Sequence, residues 1–532
     1  MISELNPQVQ KQIDAVFEKW DRPDSPGCAL VVTKDNEIIY ERGYGAAQLE
    51  YGIPITPDTI FHVASVSKQF TTMAIAFLVA DGLVDLDAPI QQYVPAAPKF
   101  TETITVRHLV HHTSGLRDQW ALLMLAGWRM DDVITKDHLM KIITRQQELN
   151  FAPGEEFLYS NSGYTLLAEI VEKVTGKTLR AFAKERIFKP LGMENTHFHD
   201  DHEEIVKNRA YSYAPRQEGG WRKSVLSYAN VGATSLFTTV RDLAKWLANF
   251  SHGQAGGQDV LAVMENRFTL NSGELIPYGF GLIHEDYKGL QEIGHSGTDA
   301  GFRSWCGRFK PRGLGIAVLA NAANALPRES ARKIADILLA AKIKEEPKET
   351  AAFLEPRELA GTYLLQRSGE RLFLSEENGA LSMRLGELGE TEKLRPLSKV
   401  NSYEAQPGGE IITFSVGEGQ EIQCLYQRQI PARGRKMPAY SLDQDQFAAY
   451  AGNYYSPELD DTYHIFLEKG ELKVSFRRHP TLRLIPWGPH RFLMEKAIVV
   501  DSEIEFEITA EQISGFRLHG RRVRNILFEK QR

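Results

Sequence analysis

A serine and a lysine three residues apart support covalent chemistry when both lie on one helix, and Phe61-His-Val-Ala-Ser-Val-Ser-Lys68 sets Ser65 and Lys68 at that spacing. Residues three apart on a helix share a face, so the Lys68 amine reaches the Ser65 hydroxyl and, if kept neutral, takes its proton. Phe70, Met73, Ala74, Phe77 and Leu78 extend the segment as one apolar stripe that Gly82 ends, which predicts a helix over 67–80 with Ser65 at its N-terminus. The helix dipole there adds positive potential where an oxyanion would form. Alone the motif carries little weight, because chance supplies roughly one or two Ser-x-x-Lys in a chain of this length.

Two further elements add to it. Tyr159-Ser160-Asn161 lies between a Pro153-Gly154 turn and a segment with Tyr164, Leu167, Ala168 and Val171 at helical spacing, ended by Gly176. A Tyr159 phenolate would share the proton shuttle with Lys68, and the Asn161 amide would hold Lys68 and bind a substrate carbonyl. Gly294-His-Ser-Gly-Thr298 follows Tyr278-Gly-Phe-Gly-Leu282, read as β-type, and precedes a strand over 301–309. Gly297 would let substrate approach the backbone, and the Thr298 N–H would complete an oxyanion hole with that of Ser65. His295 offers an acid, a base or a hydrogen-bond donor.

The elements that must position these groups are legible as periodicity. Residues 27–32 and 37–40 flank Lys34-Asp35-Asn36, and 301–309 and 314–320 flank Pro311-Arg312-Gly313, giving two predicted hairpins. Ala331, Ile334, Ala335, Leu338 and Ala341 then follow at helical spacing. One antiparallel sheet built from both ends of the domain, with helical segments between, is an α+β arrangement. After Ala341 a charged, proline-containing stretch predicts a linker near 345–356 with few contacts across it. Beyond it short β runs alternate with turn residues, and Leu359-Ala-Gly-Thr-Tyr363 returns as Tyr450-Ala-Gly-Asn-Tyr454, while Asn378-Gly-Ala-Leu381 returns as Lys469-Gly-Glu-Leu472. The expected domains are 1–345, 356–430 and 440–532, with the break between the β domains in 430–438.

At 532 residues the chain exceeds a single core, and 42% hydrophobic with 25% charged residues describes a globular protein. A net charge of −7 gives no basic stripe, so no nucleic-acid partner is expected. The first 24 residues lack the apolar core of a secretory signal, and the run 73–80 stops at Asp81, so neither membrane insertion nor export is expected and the location read is cytoplasmic. Cys28, Cys306 and Cys424 lack metal-ligand spacing and read as packed thiols. His111 and His112 are adjacent and point apart, so no metal is proposed. Phe476-Arg-Arg-His-Pro480 with Arg483 and Arg491 reads as a solvated β face, with carboxylate binding as the alternative.

The three motifs in this order resemble the penicillin-recognising serine hydrolases: class C β-lactamases, DD-peptidases, family VIII esterases and D-aminopeptidases. The resemblance spans about residues 10–345 and includes Leu109-Val-His-His-Thr-Ser-Gly-Leu116, Pro190-Leu-Gly-Met193 and Thr239-Val-Arg-Asp-Leu243. Residues 114–122 and the paired β domains look most like the D-aminopeptidase branch. The resemblance implies a β-lactamase/DD-peptidase-like catalytic domain with a helical layer, followed by two lipocalin-like barrels. It further implies an acyl-enzyme on Ser65 formed without a cofactor, Lys68 and Tyr159 as the proton-transfer pair, and Asn161, His295, Gly297 and Thr298 around the substrate. The substrate is expected to be a small molecule or short peptide, an amide with a D-residue first, with carboxylesterase or weak β-lactamase activity as alternatives and a non-catalytic scaffold as the rival of another class. A homo-oligomer is left open. Two departures stand out: His295-Ser-Gly297 replaces the Lys-Thr-Gly of class C β-lactamases, and the stretch after Trp487 is short where D-aminopeptidases extend a loop toward the cleft.

Overall fold

In the computed structural model of the chain, the described residues are 5–339, 354–365, 370–386, 389–397, 401–406, 410–417, 421–427, 432–437, 440, 442, 444–495 and 502–532. Most of the expected linker near 345–356 lies outside them.

Asp35 and Asn36 take left-handed φ values of 50° and 73°, which closes the tight turn between strands Cys28–Lys34 and Glu37–Tyr44. The second hairpin joins Phe302–Lys310 to Leu314–Ala320, and that last strand pairs antiparallel with Cys28–Lys34, Leu30 opposite Val318. The two ends of the domain thus share one sheet of six strands, in the order Ile283–Tyr287, Leu290–Asp299, Phe302–Lys310, Leu314–Ala320, Cys28–Lys34, Glu37–Tyr44. Side chains alternate across a strand, and here they divide two cores: Ala29 and Val31 join one, Cys28, Leu30 and Val32 the other. Helices Pro7–Val16 and Pro327–Leu339 cover the second face. The first face carries the helical layer, with Ser67–Ala80 at its centre, buried from Ser67 to Leu78 because that segment is apolar almost all round. The catalytic domain is therefore α+β.

Two closed eight-stranded barrels follow, from Gly361–Leu365 to Ala432–Lys436 and from Gly452–Ser456 to Val523–Lys530. The short sequence repeat encodes the same device in each. The Tyr363 hydroxyl donates to Leu359 O at 2.9 Å and that of Tyr454 to Tyr450 O at 2.8 Å, tying the entering chain to the first strand. Asn378-Gly379 and Lys469-Gly470 are both left-handed hairpin turns. The segment expected to separate the barrels holds instead the closing strand of the first, Ala432–Lys436, which pairs with Gly361–Leu365. Its prolines flank a strand whose partner lies some seventy residues back, a distance that composition does not encode.

The expectation of few contacts between the catalytic and β domains is corrected by the last barrel. Its interior and the catalytic helical layer form one continuous apolar cluster. Arg117, fully buried, donates to Arg524 O at 2.8 Å and forks onto Glu458 at 2.8 and 3.0 Å. The Tyr463 hydroxyl donates to Leu125 O at 2.9 Å. The Arg477-Arg478-His479 cluster borders this junction while its arginines stay exposed, as a solvated face implies: Arg478 pairs with Asp132 at 2.7 Å, Arg477 pairs with Asp461 at 3.6 Å, and His479 Nε2 lies 3.0 Å from Met124 O. Arg483 and Arg491 pair within the barrel, with Glu471 and Glu505.

Candidate active site

Ser65 sits in a single 3-10 turn, Ala64–Val66, that runs into the Ser67–Ala80 helix. Ala64 takes a left-handed φ of 48°, a strained conformation for a residue with a Cβ, and the surroundings hold it there. Its N–H donates to His62 Nδ1 at 3.2 Å and its carbonyl accepts from Ser67 Oγ at 2.5 Å, while Leu236 N–H donates to Ser67 Oγ at 2.9 Å. One turn on, Lys68 is completely buried and its Nζ lies 3.1 Å from Ser65 Oγ, 2.8 Å from Asn161 Oδ1 and 2.6 Å from Ala233 O. Burial holds the Lys68 amine well below the ordinary lysine range, against the pull of Asp118 and Asp299. A neutral amine has two N–H donors and one lone pair, which matches two pure acceptors and a hydroxyl.

Ser160 is the N-cap and Asn161 the first residue of the helix Asn161–Thr175. Asp118 decides which way the Asn161 amide points: one carboxylate oxygen accepts from Asn161 N at 2.8 Å and from Nδ2 at 2.7 Å, so Oδ1 is left for Lys68. The other oxygen caps the helix Gln119–Leu125 through Trp120 N at 3.0 Å. The Tyr159 hydroxyl is buried beside the Ser65 hydroxyl. Burial raises its pKa, the Ser65 hydroxyl opposing, so the ring rests as a phenol and not as the phenolate expected from the sequence. His112 stacks on Tyr159 with ring centroids 4.2 Å apart and accepts from Ser160 N–H at 3.2 Å. Tyr159 and Tyr164 wall the Lys68 amine, their centroids 4.8 and 5.3 Å from Nζ.

The third motif lies on the strand Leu290–Asp299. Its partner Ile283–Tyr287 stops opposite Gly294, so from His295 to Asp299 the backbone pairs on one side only, with Phe302–Cys306. His295 is buried, and burial with the nearby Lys68 pushes it down to about 3. Its Nδ1 lies 2.6 Å from Ser296 O and its Nε2 3.0 Å from the Tyr278 hydroxyl, so the neutral ring is already engaged at both nitrogens. Gly297 is needed for a different reason than substrate approach: a Cβ there would stand 2.2 Å from Ser304 Oγ and 2.3 Å from Val63 O. The strand lies directly against the Ser65 turn. Tyr278–Leu282 is a tight loop rather than a β run, because Gly281, at φ 66°, lets it press on the Lys68 backbone, where a Cβ would meet Lys68 C at 2.6 Å. Thr298 lines the cleft with Ser65, Tyr159, Asn161 and His295.

The cleft encloses about 830 Å³ and has contributions from all three domains, including Ala432 of the first barrel and Arg522 of the last. The family model described as Beta-lactamase matches residues 13–341, well over half of the chain. This chain belongs to the β-lactamase family. It is 27% identical over 440 residues to a D-aminopeptidase of Gluconobacter oxydans, covering 82% of this chain and 80% of that one. The octameric penicillin-binding protein homologue from Pyrococcus abyssi aligns over 89% of this chain and 99% of that one at 25% identity, with a TM-score of 0.57. The D-amino acid amidase from Ochrobactrum anthropi, at 24% identity and a TM-score of 0.53, covers 63% of this chain and 99% of that one, a likeness of fold.

Three cleft-side residues of this β-lactamase-family chain escape a reading of the sequence. Asp118 sits inside a segment noted only for its resemblance, and its hydrogen bonds to Asn161 span 43 residues. Asp299 lies two residues beyond Gly297, on the His295 side of the strand, a position that alternation alone could have supplied. Arg522 comes from the turn between strands Gln512–Gly520 and Val523–Lys530 of the last barrel. The His111 ring nitrogens face two backbone carbonyls, Nδ1 3.0 Å from Arg107 O and Nε2 3.2 Å from Asn266 O, apart from His112. Among the described residues, His197, His199 and Glu204 bring possible metal-ligand atoms within 4.8 Å of one another, but Arg180 forks onto Glu204 at 2.6 and 2.7 Å and neutralises its charge. No described helix is long and apolar enough to cross a membrane.

Proposed function

We propose that this β-lactamase-fold hydrolase cleaves small amides or short peptides with an N-terminal D-residue through an acyl-enzyme on Ser65. The observation that carries the reading is the Lys68 amine: buried, with Asn161 Oδ1 and Ala233 O as acceptors for its two N–H groups and its lone pair left toward Ser65 Oγ at 3.1 Å. Ser65 gives its proton to Lys68 and its Oγ bonds the substrate carbonyl carbon. The oxygen of that carbonyl is stabilised by the Ser65 and Thr298 N–H groups. The Tyr159 phenol, kept protonated by its burial, donates to the departing nitrogen, a stronger base than the phenolate left behind, and is reprotonated from Lys68. Water, deprotonated by Lys68, then hydrolyses the ester. The preference for a D-residue is supported by the likeness to D-aminopeptidases over four-fifths of the chain.

The test combines a fluorophosphonate label with kcat/KM for D-alanine amide, L-alanine amide and p-nitrophenyl butyrate. Labelling at Ser65, faster D- than L-amide turnover and a loss of about a thousandfold or more in Ser65→Ala are expected. D-amide turnover at background beside brisk ester cleavage would replace the peptidase by an esterase. Neither label nor turnover would leave a scaffold.

A further inference from the structure

The cleft that Ser65 lines also carries two charges of opposite sign, Asp299 and Arg522, and neither has a charged partner within hydrogen-bond range among the described residues. Asp299 is a partly buried carboxylate, its side chain 15% exposed, that lines the cleft. It accepts from Thr234 Oγ1 at 2.8 Å and from the Tyr228 hydroxyl, both neutral donors, and its one ion-pair neighbour among the described residues is His62 at 3.9 Å, an imidazole that burial keeps neutral. Arg303, the nearby cation, spends its guanidinium on Ala300 O and Phe302 O at 3.0 and 2.7 Å. Asp299 is also the residue after Thr298, whose N–H is assigned to the oxyanion, so its carboxylate belongs near the scissile carbonyl.

Arg522 is the second charge, beside Tyr159. Its backbone is clamped: its carbonyl accepts from Asp118 N–H and from Asn150 Nδ2, both at 3.2 Å, and the buried Arg117 grips the next turn of chain. Its guanidinium lies over the Tyr159 ring at 4.9 Å and reaches Asp118 only at 3.8 Å, beyond hydrogen-bond range. Among the described residues its N–H donors make no hydrogen bond to the protein, yet they line the cleft beside the phenol assigned to the leaving nitrogen. The adjacent Arg521 is held by Glu370 of the first barrel at 2.8 Å, and the other acidic lining residue, Asp131, by Arg129.

A substrate that satisfies both groups carries a cation two bonds from the scissile carbonyl carbon and an anion two bonds from the leaving nitrogen. We propose that the substrate class is the unblocked dipeptide, its N-terminal ammonium held by Asp299 and its C-terminal carboxylate by the guanidinium of Arg522. This rests on the acyl-enzyme reading above. The amide C–N bond breaks as the Ser65 ester forms, the second residue leaves as a free amino acid with the proton from Tyr159, and water releases the first. The last barrel then sets specificity, through a planar fork suited to a carboxylate.

The experiment compares kcat/KM in the full-length protein for D-alanyl-D-alanine, its C-terminal amide and its N-acetyl form, with D-alanine amide as the reference. The wild type should favour the zwitterion over each blocked form by tenfold or more, the range of one charge-assisted contact. Arg522→Gln should bring the acid-to-amide ratio toward one, and Asp299→Asn the free-to-acetylated ratio, each ratio being internal to its variant. A wild type that cleaves blocked and free dipeptides equally overturns the inference whether or not the variants fold, as does an unchanged ratio in a folded variant. Absence of turnover on every amide, D-alanine amide included, would instead sink the acyl-enzyme peptidase reading on which it rests.

Discussion

The protonation state of Lys68 can be tested without a substrate, by replacing it with methionine, which keeps the length of the chain and deletes the amine. A lysine in an unfolded chain titrates near ~10.4, so between pH 7 and pH 9 the unfolded state holds a proton on residue 68. The folded state does not, if the amine is neutral as the proposed chemistry requires and as its complete burial favours. The pKa is lowered on folding, so the stabilising contribution is largest above the unfolded value and is lost as pH falls toward the folded one. Wild-type stability should therefore rise with pH relative to Lys68→Met, by about 1.4 kcal/mol per pH unit, or about 2.7 kcal/mol from pH 7 to pH 9. The hydrogen bonds lost to Asn161 and Ala233 shift the two curves apart by a constant and leave the slope alone. Neighbouring groups titrate outside the window: His295 near 3, Asp299 near 6, Tyr159 above its ordinary range. The assay is guanidinium unfolding of both proteins at pH 7, 8 and 9, followed by the same probe. Parallel pH dependences would mean that Lys68 is charged in the folded protein, and the general base would have to be sought elsewhere.

Gly297→Ala forces a Cβ to within 2.3 Å of Val63 O, so we expect about 1–3 kcal/mol of overpacking and a fall in kcat as the Ser65 turn is displaced; an unchanged melting temperature with only a raised KM would restore substrate approach as the glycine's purpose. Arg117→Met strands the Glu458 carboxylate in the barrel junction and should cost about 3–5 kcal/mol in denaturant unfolding, partly recovered by Glu458→Gln in the double variant; a loss under about 1 kcal/mol would refute a docked barrel. Asp118→Asn puts an amide donor against either Asn161 or the Trp120 N–H, so kcat should drop about tenfold or more with KM little changed; a kcat equal to wild type would show that Asn161 orients itself.

What the sequence discloses about this site follows from how far apart the cooperating groups are. Ser65 and Lys68 meet through helical spacing, the two hairpins through turn residues, and the barrel repeat through a tyrosine that bonds four residues back, all local relations that periodicity records. Gly297 could be picked out but its purpose could not, since the atoms that exclude a side chain belong to residue 63 and residue 304, one of them far earlier in the chain. The charge state of Tyr159 is hidden from the sequence for a related reason: burial sets it, and burial is a property of the assembled layer. Arg522 shows the limit most sharply. Nothing in a two-residue turn says that it docks beside Tyr159, since that placement depends on Arg117 gripping carbonyls some four hundred residues away. The Ser65–Lys68 pair is local in sequence and therefore legible, whereas the charges proposed to choose the substrate meet only when the last barrel closes on the catalytic domain. If Arg522 binds the substrate carboxylate as proposed, a change of its side chain in the barrel turn redirects the substrate while leaving Ser65 and Lys68 in place.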